Sequence, residues 1–222
     1  MKTMLETIYD YEVEEWIRSG LPLGTSPSYK QLTWRQHVQY AVGHIINDYY
    51  SSPPEERAQT SVHMLVERRW PKRQDVFLSG LHYWKVYDRV AEQLTSIFDI
   101  LDHTAYPVAL YEQWNTHVEE LKIDLTMIFQ AVWESQEKSG QFTIQKFMVD
   151  EDMEVIKAFV FMTNVFWHSV YGEPPDSIEI YTLMSGRRYS FTRENLCYRE
   201  SLDYVYLLSK TADYASFAGC NS

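Results

Sequence analysis

The sequence predicts an α/β chain of the α+β kind: a central mixed sheet, built on an antiparallel three-strand meander and a C-terminal hairpin, flanked by helices and preceded by a helical N-terminal part. Three observations predict it. In residues 107–118, 121–133 and 141–149, β-branched and aromatic residues recur in strand-like runs. The breaks between these runs, Glu119-Glu120 and residues 134–140, are shorter than the crossover of about a dozen residues that parallel neighbours need, so the runs pair antiparallel. Apolar recurrences at helical spacing lie on both sides of this stretch.

In chain order, Leu5, Ile8, Val13, Trp16 and Ile17 recur helically over residues 3–19, and Gly20 with Pro22 closes this first helix. A Gly-, Pro- and Ser-rich loop, 20–29, leads to Thr33, which caps a second helix reaching Tyr50. Val38, Val42, Ile45, Ile46 and Tyr49 share one face of that helix, and Pro53-Pro54 ends it. Pro54-Glu55-Glu56 suits the first turn of a third helix, expected to run to Arg69. A fourth, 79–102, offers Leu81, Trp84, Val86, Val90, Leu94, Ile97, Phe98 and Leu101 for packing. After the meander, Asp150-Glu151-Asp152 opens a helix that is apolar around most of its circumference and is therefore expected to lie buried across the sheet. Gly172-Glu173-Pro174-Pro175 stops it. Residues 178–184 and 187–191 form a hairpin whose turn, Ser185-Gly186, places a glycine at positive φ. Thr192 starts the last helix, expected to reach Tyr214. The 222 residues read as a single domain, with 1–104 its helical N-terminal part and 105–222 its α/β core.

Composition narrows the function classes. A content of 17 Tyr and 7 Trp against 8 Gly and 8 Pro suits a packed core rather than a disordered chain. No run approaches the roughly 18 apolar residues of a membrane span, and Met1 to Glu6 are acidic and amphipathic rather than signal-like, so a cytoplasmic location without a membrane partner is expected. A net charge of −11 opposes general attraction to nucleic acid, so any such contact must be local. Cys197 and Cys220 are too few for a disulfide framework or a four-cysteine metal site. No Walker loop, dinucleotide fingerprint or nucleophile elbow occurs.

Basic residues cluster at Arg68, Arg69, Lys72 and Arg73, around Trp70 and Pro71. They are the candidate phosphate contact; the competing reading is a solvated loop whose arginines pair with nearby acids. In the meander two charged residues stand alone in apolar strands: Asp124, between Ile123 and Leu125, and Lys146, between Gln145 and Phe147. Residues i and i+2 of a strand share a face. An acid-x-lysine on one strand beside an aspartate on its neighbour therefore makes a pocket that holds a divalent metal, and the metal lowers the pKa of its bound water and offsets the charge of a phosphoryl transition state. Here the residue two before the lysine is Ile144, which cannot ligate metal. Glu112, on the first strand, is the acid best placed to replace it. With one acid and one lysine, an ion pair is the simpler expectation.

The order of elements and these motifs resemble the PD-(D/E)XK nuclease superfamily, in its RecB-like exonuclease branch, over residues 35–220. The similarity is closest in the last third, where a helix ending in Val170-Tyr171-Gly172-Glu173-Pro174-Pro175 is followed by the hairpin and by a helix ending in Phe217-Ala218-Gly219-Cys220. The resemblance implies a restriction-endonuclease-like fold, with Asp124 as the metal-binding aspartate and Lys146 as the catalytic lysine on one side of the sheet. It also exposes departures. The second acid falls on Ile144, the early-helix histidine on Asn47 with His44 nearby, and the later glutamine near Lys157. Cys220 lacks the three partners of the iron–sulfur cluster carried by some relatives, so no cluster is expected. Together these imply a catalytically degenerate nuclease fold, without a cofactor, acting as a structural or DNA-handling subunit beside other protein subunits. The alternatives are a working Mg²⁺- or Mn²⁺-dependent deoxyribonuclease that uses Asp124, Glu112 and Lys146, and a protein-interaction or virion-assembly component.

Overall fold

The computed structural model describes residues 6–20, 32–100, 105–135 and 140–218. The readings of residues 1–5, of loop residues 21–29 and of Cys220 lie outside these.

The described residues open with a strand, β1 (Glu6–Tyr9), that passes directly into α1 (Asp10–Ser19). The helix expected over 3–19 is corrected here: residues 6–9 are extended because they lie parallel along a later strand, pairing Glu6 with Ile123 through Tyr9 with Thr126. Next comes α2 (Trp34–Ser51), which starts in a capping box. The Thr33 hydroxyl accepts from the Gln36 backbone N–H, and the Gln36 side chain accepts from the Thr33 N–H.

The expected third helix is two helices, α3 (Pro54–Arg57) and α4 (Val62–Arg69). Arg57 marks the break. Its side chain is buried and donates to the carbonyls of Tyr50, Ser52 and Ala105, which pins the chain where a continuous helix would have to pass. Ser61 then caps α4 by accepting from the Met64 N–H. A 3-10 turn at Gln74–Val76 precedes α5 (Gly80–Ile100).

The meander is β2 (Ala109–Val118), β3 (Ile123–Glu134) and β4 (Phe142–Met148), paired antiparallel as expected. From β4 the chain crosses through α6 (Met153–Tyr171) to β5 (Ser177–Thr182), parallel to β4, and turns back into β6 (Arg187–Thr192). Gly186 takes the expected positive φ, +71°. The last helix, α7 (Tyr198–Ala218), begins later than predicted, because the Thr192 hydroxyl bonds Asn195 across a separate 3-10 turn.

Helices cover both faces of the six-stranded mixed sheet. On one face Val13 of α1, Ile156 and Phe166 of α6 and Val205 of α7 pack on Leu125, Phe129, Ile144 and Ile180. On the other, Val42 and Ile46 of α2, Val66 of α4 and Val90 and Leu94 of α5 pack on Phe147 and Tyr181. Among the described residues no helix is long and apolar enough to cross a membrane.

Candidate functional site

The sheet has a notch at its centre. Along one edge of β3, β2 pairs without interruption from Val118 to Ala109 apart from Tyr111. The other edge is shared: β1 takes residues 123–126 and β4 takes 131–134. Between them the ladder groups of β3 and β4 lack a strand partner, and a buried backbone N–H without a partner is costly. Two side chains fill the role. Asp10 Oδ1 accepts from the Ile128 N–H at 3.2 Å, and Gln130 Oε1 accepts from the Phe147 N–H at 2.6 Å.

Lys146 projects into this notch. Its Nζ lies 3.4 Å from Asp10 Oδ2 and 4.7 Å from the centroid of the Phe159 ring, so a carboxylate and a ring face both oppose its charge. Lys146 and Asp10 are each 8% exposed. Burial raises the Asp10 carboxyl above its usual range, and the Lys146 ammonium and the Ile128 N–H only partly oppose this. A void of about 10 Å³, bounded by Asp10, Glu14, Lys146 and Phe159, leaves room for about one water.

The sequence-predicted acids are elsewhere. Asp124 does lie on the strand next to Lys146, but the last paired position before Lys146, Gln145 with Ala131, is seven residues or about 23 Å along β3 from Asp124. The faces differ too. Leu125 belongs to the same apolar cluster as Phe159, over which Lys146 lies, and alternation sends Asp124 to the opposite side. Asp124 instead meets His117 across the β2–β3 pair, Oδ1 to Nδ1 at 2.8 Å, while Glu119 approaches the other ring nitrogen at 3.3 Å. Glu112, exposed on β2, accepts from Trp114 Nε1 at 2.9 Å and pairs with Phe129, five residues along β3 from Asp124. The expected convergence of Asp124, Glu112 and Lys146 is therefore corrected. These residues do not fit a shared Mg²⁺ or Mn²⁺, and Ile144 is fully buried among Val132, Ile178 and the apolar core.

No protein-family model matches the chain, and no curated protein matches it in sequence.

The basic cluster is internally paired. Arg68 and Arg69 both bond Asp48, at 2.6 Å each, and Arg73 bonds Asp75 at 2.6 Å. Lys72 donates to the Glu67 carbonyl at 3.0 Å. The arginines remain substantially exposed, so the cluster faces solvent with part of its charge offset.

Sequence reasoning missed Asp10 and Gln130. Asp10 looks like an ordinary first-turn acid, a favourable place at a helix N-terminus. Its role follows only from β1, whose pairing carries α1 to the notch. The available signal was a buried lysine in need of a counter-charge.

Proposed function

We propose that this chain is a nuclease-fold protein of the PD-(D/E)XK, RecB-like kind that does not cut. In this reading it serves in the cytoplasm as a structural or nucleic-acid-handling subunit of a larger assembly. The observation that carries the proposal is Lys146 itself. A lysine assisting phosphodiester attack must reach a metal-bound water and a phosphate. This one is buried in the notch, opposite Asp10 and over Phe159, with an isoleucine where the second acid belongs. A buried, compensated ion pair of this kind specifies packing rather than chemistry.

The test is direct. Purified protein is incubated with linear single- and double-stranded DNA in Mg²⁺ or Mn²⁺, beside Asp124→Ala and Lys146→Met. Equal, background-level degradation in all three is the expected result. Cleavage that either substitution abolishes would replace this reading with that of a working deoxyribonuclease.

A further inference from the structure

A cleft of about 140 Å³ opens between α5, at Gln93 and Ser96, and the β5–β6 hairpin, at Tyr181, Gly186, Arg187 and Arg188. Gly186 lets the two elements close up: a Cβ there would meet Arg89 Nη2 at 2.6 Å and Gln93 Oε1 at 2.9 Å. Small-molecule sites begin at roughly 300 Å³, so this volume admits a head group rather than a whole ligand.

The lining carries two arginines and no carboxylate. The acids of α5, Asp88, Glu92 and Asp99, line the neighbouring cleft that the helix shares with His63 of α4. Glu179 and Glu151 bond the two arginines from outside the lining, Glu179 to Arg188 at 2.5 Å and Glu151 to Arg187 at 2.7 Å. These pairs offset the charge of the arginines, so what the cleft offers is oriented donors rather than a strong field.

The orientation is built from the core outward. Trp133 Nε1 donates to Gln145 Oε1 at 2.8 Å, Gln145 Nε2 donates to Glu179 Oε2 at 3.2 Å, and the Tyr181 hydroxyl donates to the same oxygen at 2.8 Å. This network fixes Glu179, whose other oxygen holds Arg188 with its guanidinium 5.6 Å from the centroid of the Tyr181 ring. The bond engages Nη2, and Nε and Nη1 carry further N–H donors. A guanidinium already held by a ring and a carboxylate loses little further freedom on binding, and its planar donors match phosphate oxygens. Ser96 and Gln93 add a hydroxyl and an amide from the facing helix.

We propose that this cleft binds a phosphate monoester, with Arg188 as its cationic contact and Ser96 and Gln93 as neutral donors. A monoester carries nearly two negative charges at neutral pH and presents three acceptor oxygens, which suits donors arriving from two elements. A planar carboxylate would engage the fork alone. The monoester has two natural sources, a free phosphorylated small molecule and the 5′ end of a nucleic-acid strand. The site goes beyond the subunit reading and does not depend on it.

The full chain, labelled with ¹⁵N, is titrated at low salt with inorganic phosphate, a nucleoside 5′-monophosphate, and a short single-stranded oligonucleotide with and without a 5′-phosphate. Acetate is the carboxylate control. Arg188→Gln is the deciding variant, its side chain being half exposed. Ser96→Asp sets a carboxylate in the lining from an exposed helix position, and it decides the matter if Arg188→Gln does not fold. Saturable binding of the phosphate probes is expected, with amide shifts confined to residues 89–97 and 179–188. Binding should be about tenfold weaker in Arg188→Gln and lost in Ser96→Asp. Tighter binding of the phosphorylated strand than of the nucleotide identifies a strand end as the source, the reverse identifies a free small molecule, and equal affinity shows that the phosphate group alone is read. The proposal is overturned by the absence of saturable binding for every phosphate probe, by shifts that fall elsewhere, such as at residues 68–73, or by wild-type affinity in Arg188→Gln. Acetate or the unphosphorylated strand binding as tightly as the phosphorylated probes would overturn it too, since the cleft would then not select a phosphate.

Discussion

Asp10 and Lys146, 136 positions apart, meet at 3.4 Å in the notch where β1 and β4 divide one edge of β3. The contact joins the start of α1 to the middle of the sheet. Taking both charges out of water costs about as much as their attraction returns, so such a pair adds little net stability while making each partner hard to remove alone.

That asymmetry predicts a double-mutant cycle. Asp10→Leu should lower the free energy of unfolding by about 3 kcal/mol, because it leaves the Lys146 ammonium buried without its counter-charge. Lys146→Met should do the same to Asp10. The double variant should return to within about 1 kcal/mol of wild type, the remainder being the Ile128 N–H that Asp10 had satisfied. Urea unfolding at neutral pH measures all four proteins. A double variant as unstable as the sum of the singles would show that the two charges do not act as a pair.

What was legible in the sequence was local. The meander could be read because short polar breaks force neighbouring strands to pair antiparallel, and the second helix because Thr33 caps a run with Val38, Val42, Ile45, Ile46 and Tyr49 on one face. β1 could not be read: Glu6–Tyr9 carries Ile8 at a spacing that also suits a helix, and only pairing with residues 123–126 makes it a strand. The break after α3 was hidden for a similar reason, since it depends on Arg57 reaching the carbonyl of Ala105. At the site, Lys146 stood out as a lone lysine in an apolar strand, and the ion-pair expectation had the right chemistry. The acid assigned to it was wrong because Asp124 is closer in sequence but lies on the other face.

Gly43 and Tyr111 should be coupled. Gly43→Ala places a methyl group in overlap with the Tyr111 ring, and relieving that overlap should cost about 2 kcal/mol of stability. In a Tyr111→Gly background the ring and the positive-φ side chain are both gone. There the alanine should be neutral or stabilising, by up to about 1 kcal/mol, as alanine is over glycine within a helix. Thermal or urea unfolding of the four proteins measures the coupling, and equal effects in both backgrounds would contradict the close approach.

Asp48 gives the acid limb of the stability curve a specific contributor. Its carboxyl is held below the usual value of 3.8 by the hydrogen bond from Arg69, opposed by burial and helped by Arg68. A lowered folded-state pKa means that the contribution is present above the unfolded value and is lost as pH falls through the folded one. Asp48→Asn should therefore be less stable than wild type near neutrality, by about 1 kcal/mol or less because both arginines are partly solvated. The difference should close as the pH falls well below 3.8. A gap that persists unchanged into strong acid would mean that the ion pairs are not its source.

If the basic cluster meets DNA, as proposed, the same aspartate limits its reach. Arg68, Arg69, Lys72 and Arg73 carry +4, and the bonded Asp48 and Asp75 return −2, leaving +2. Counterion release then gives a log–log salt slope of about −1.8 for duplex DNA, against about −3.6 if all four cations met phosphates unopposed. With a net charge of −11 on the whole chain, binding should be measurable only at low salt. Asp48→Asn removes one offsetting charge and should steepen the slope to about −2.7, while Arg69→Ala combined with Arg73→Ala leaves no net positive charge and should abolish binding. Fluorescence anisotropy of a labelled duplex across a salt series separates these cases. Identical slopes in wild type and Asp48→Asn would mean that phosphates do not meet this loop, and that its arginines serve only to hold α4 against α2 through Asp48.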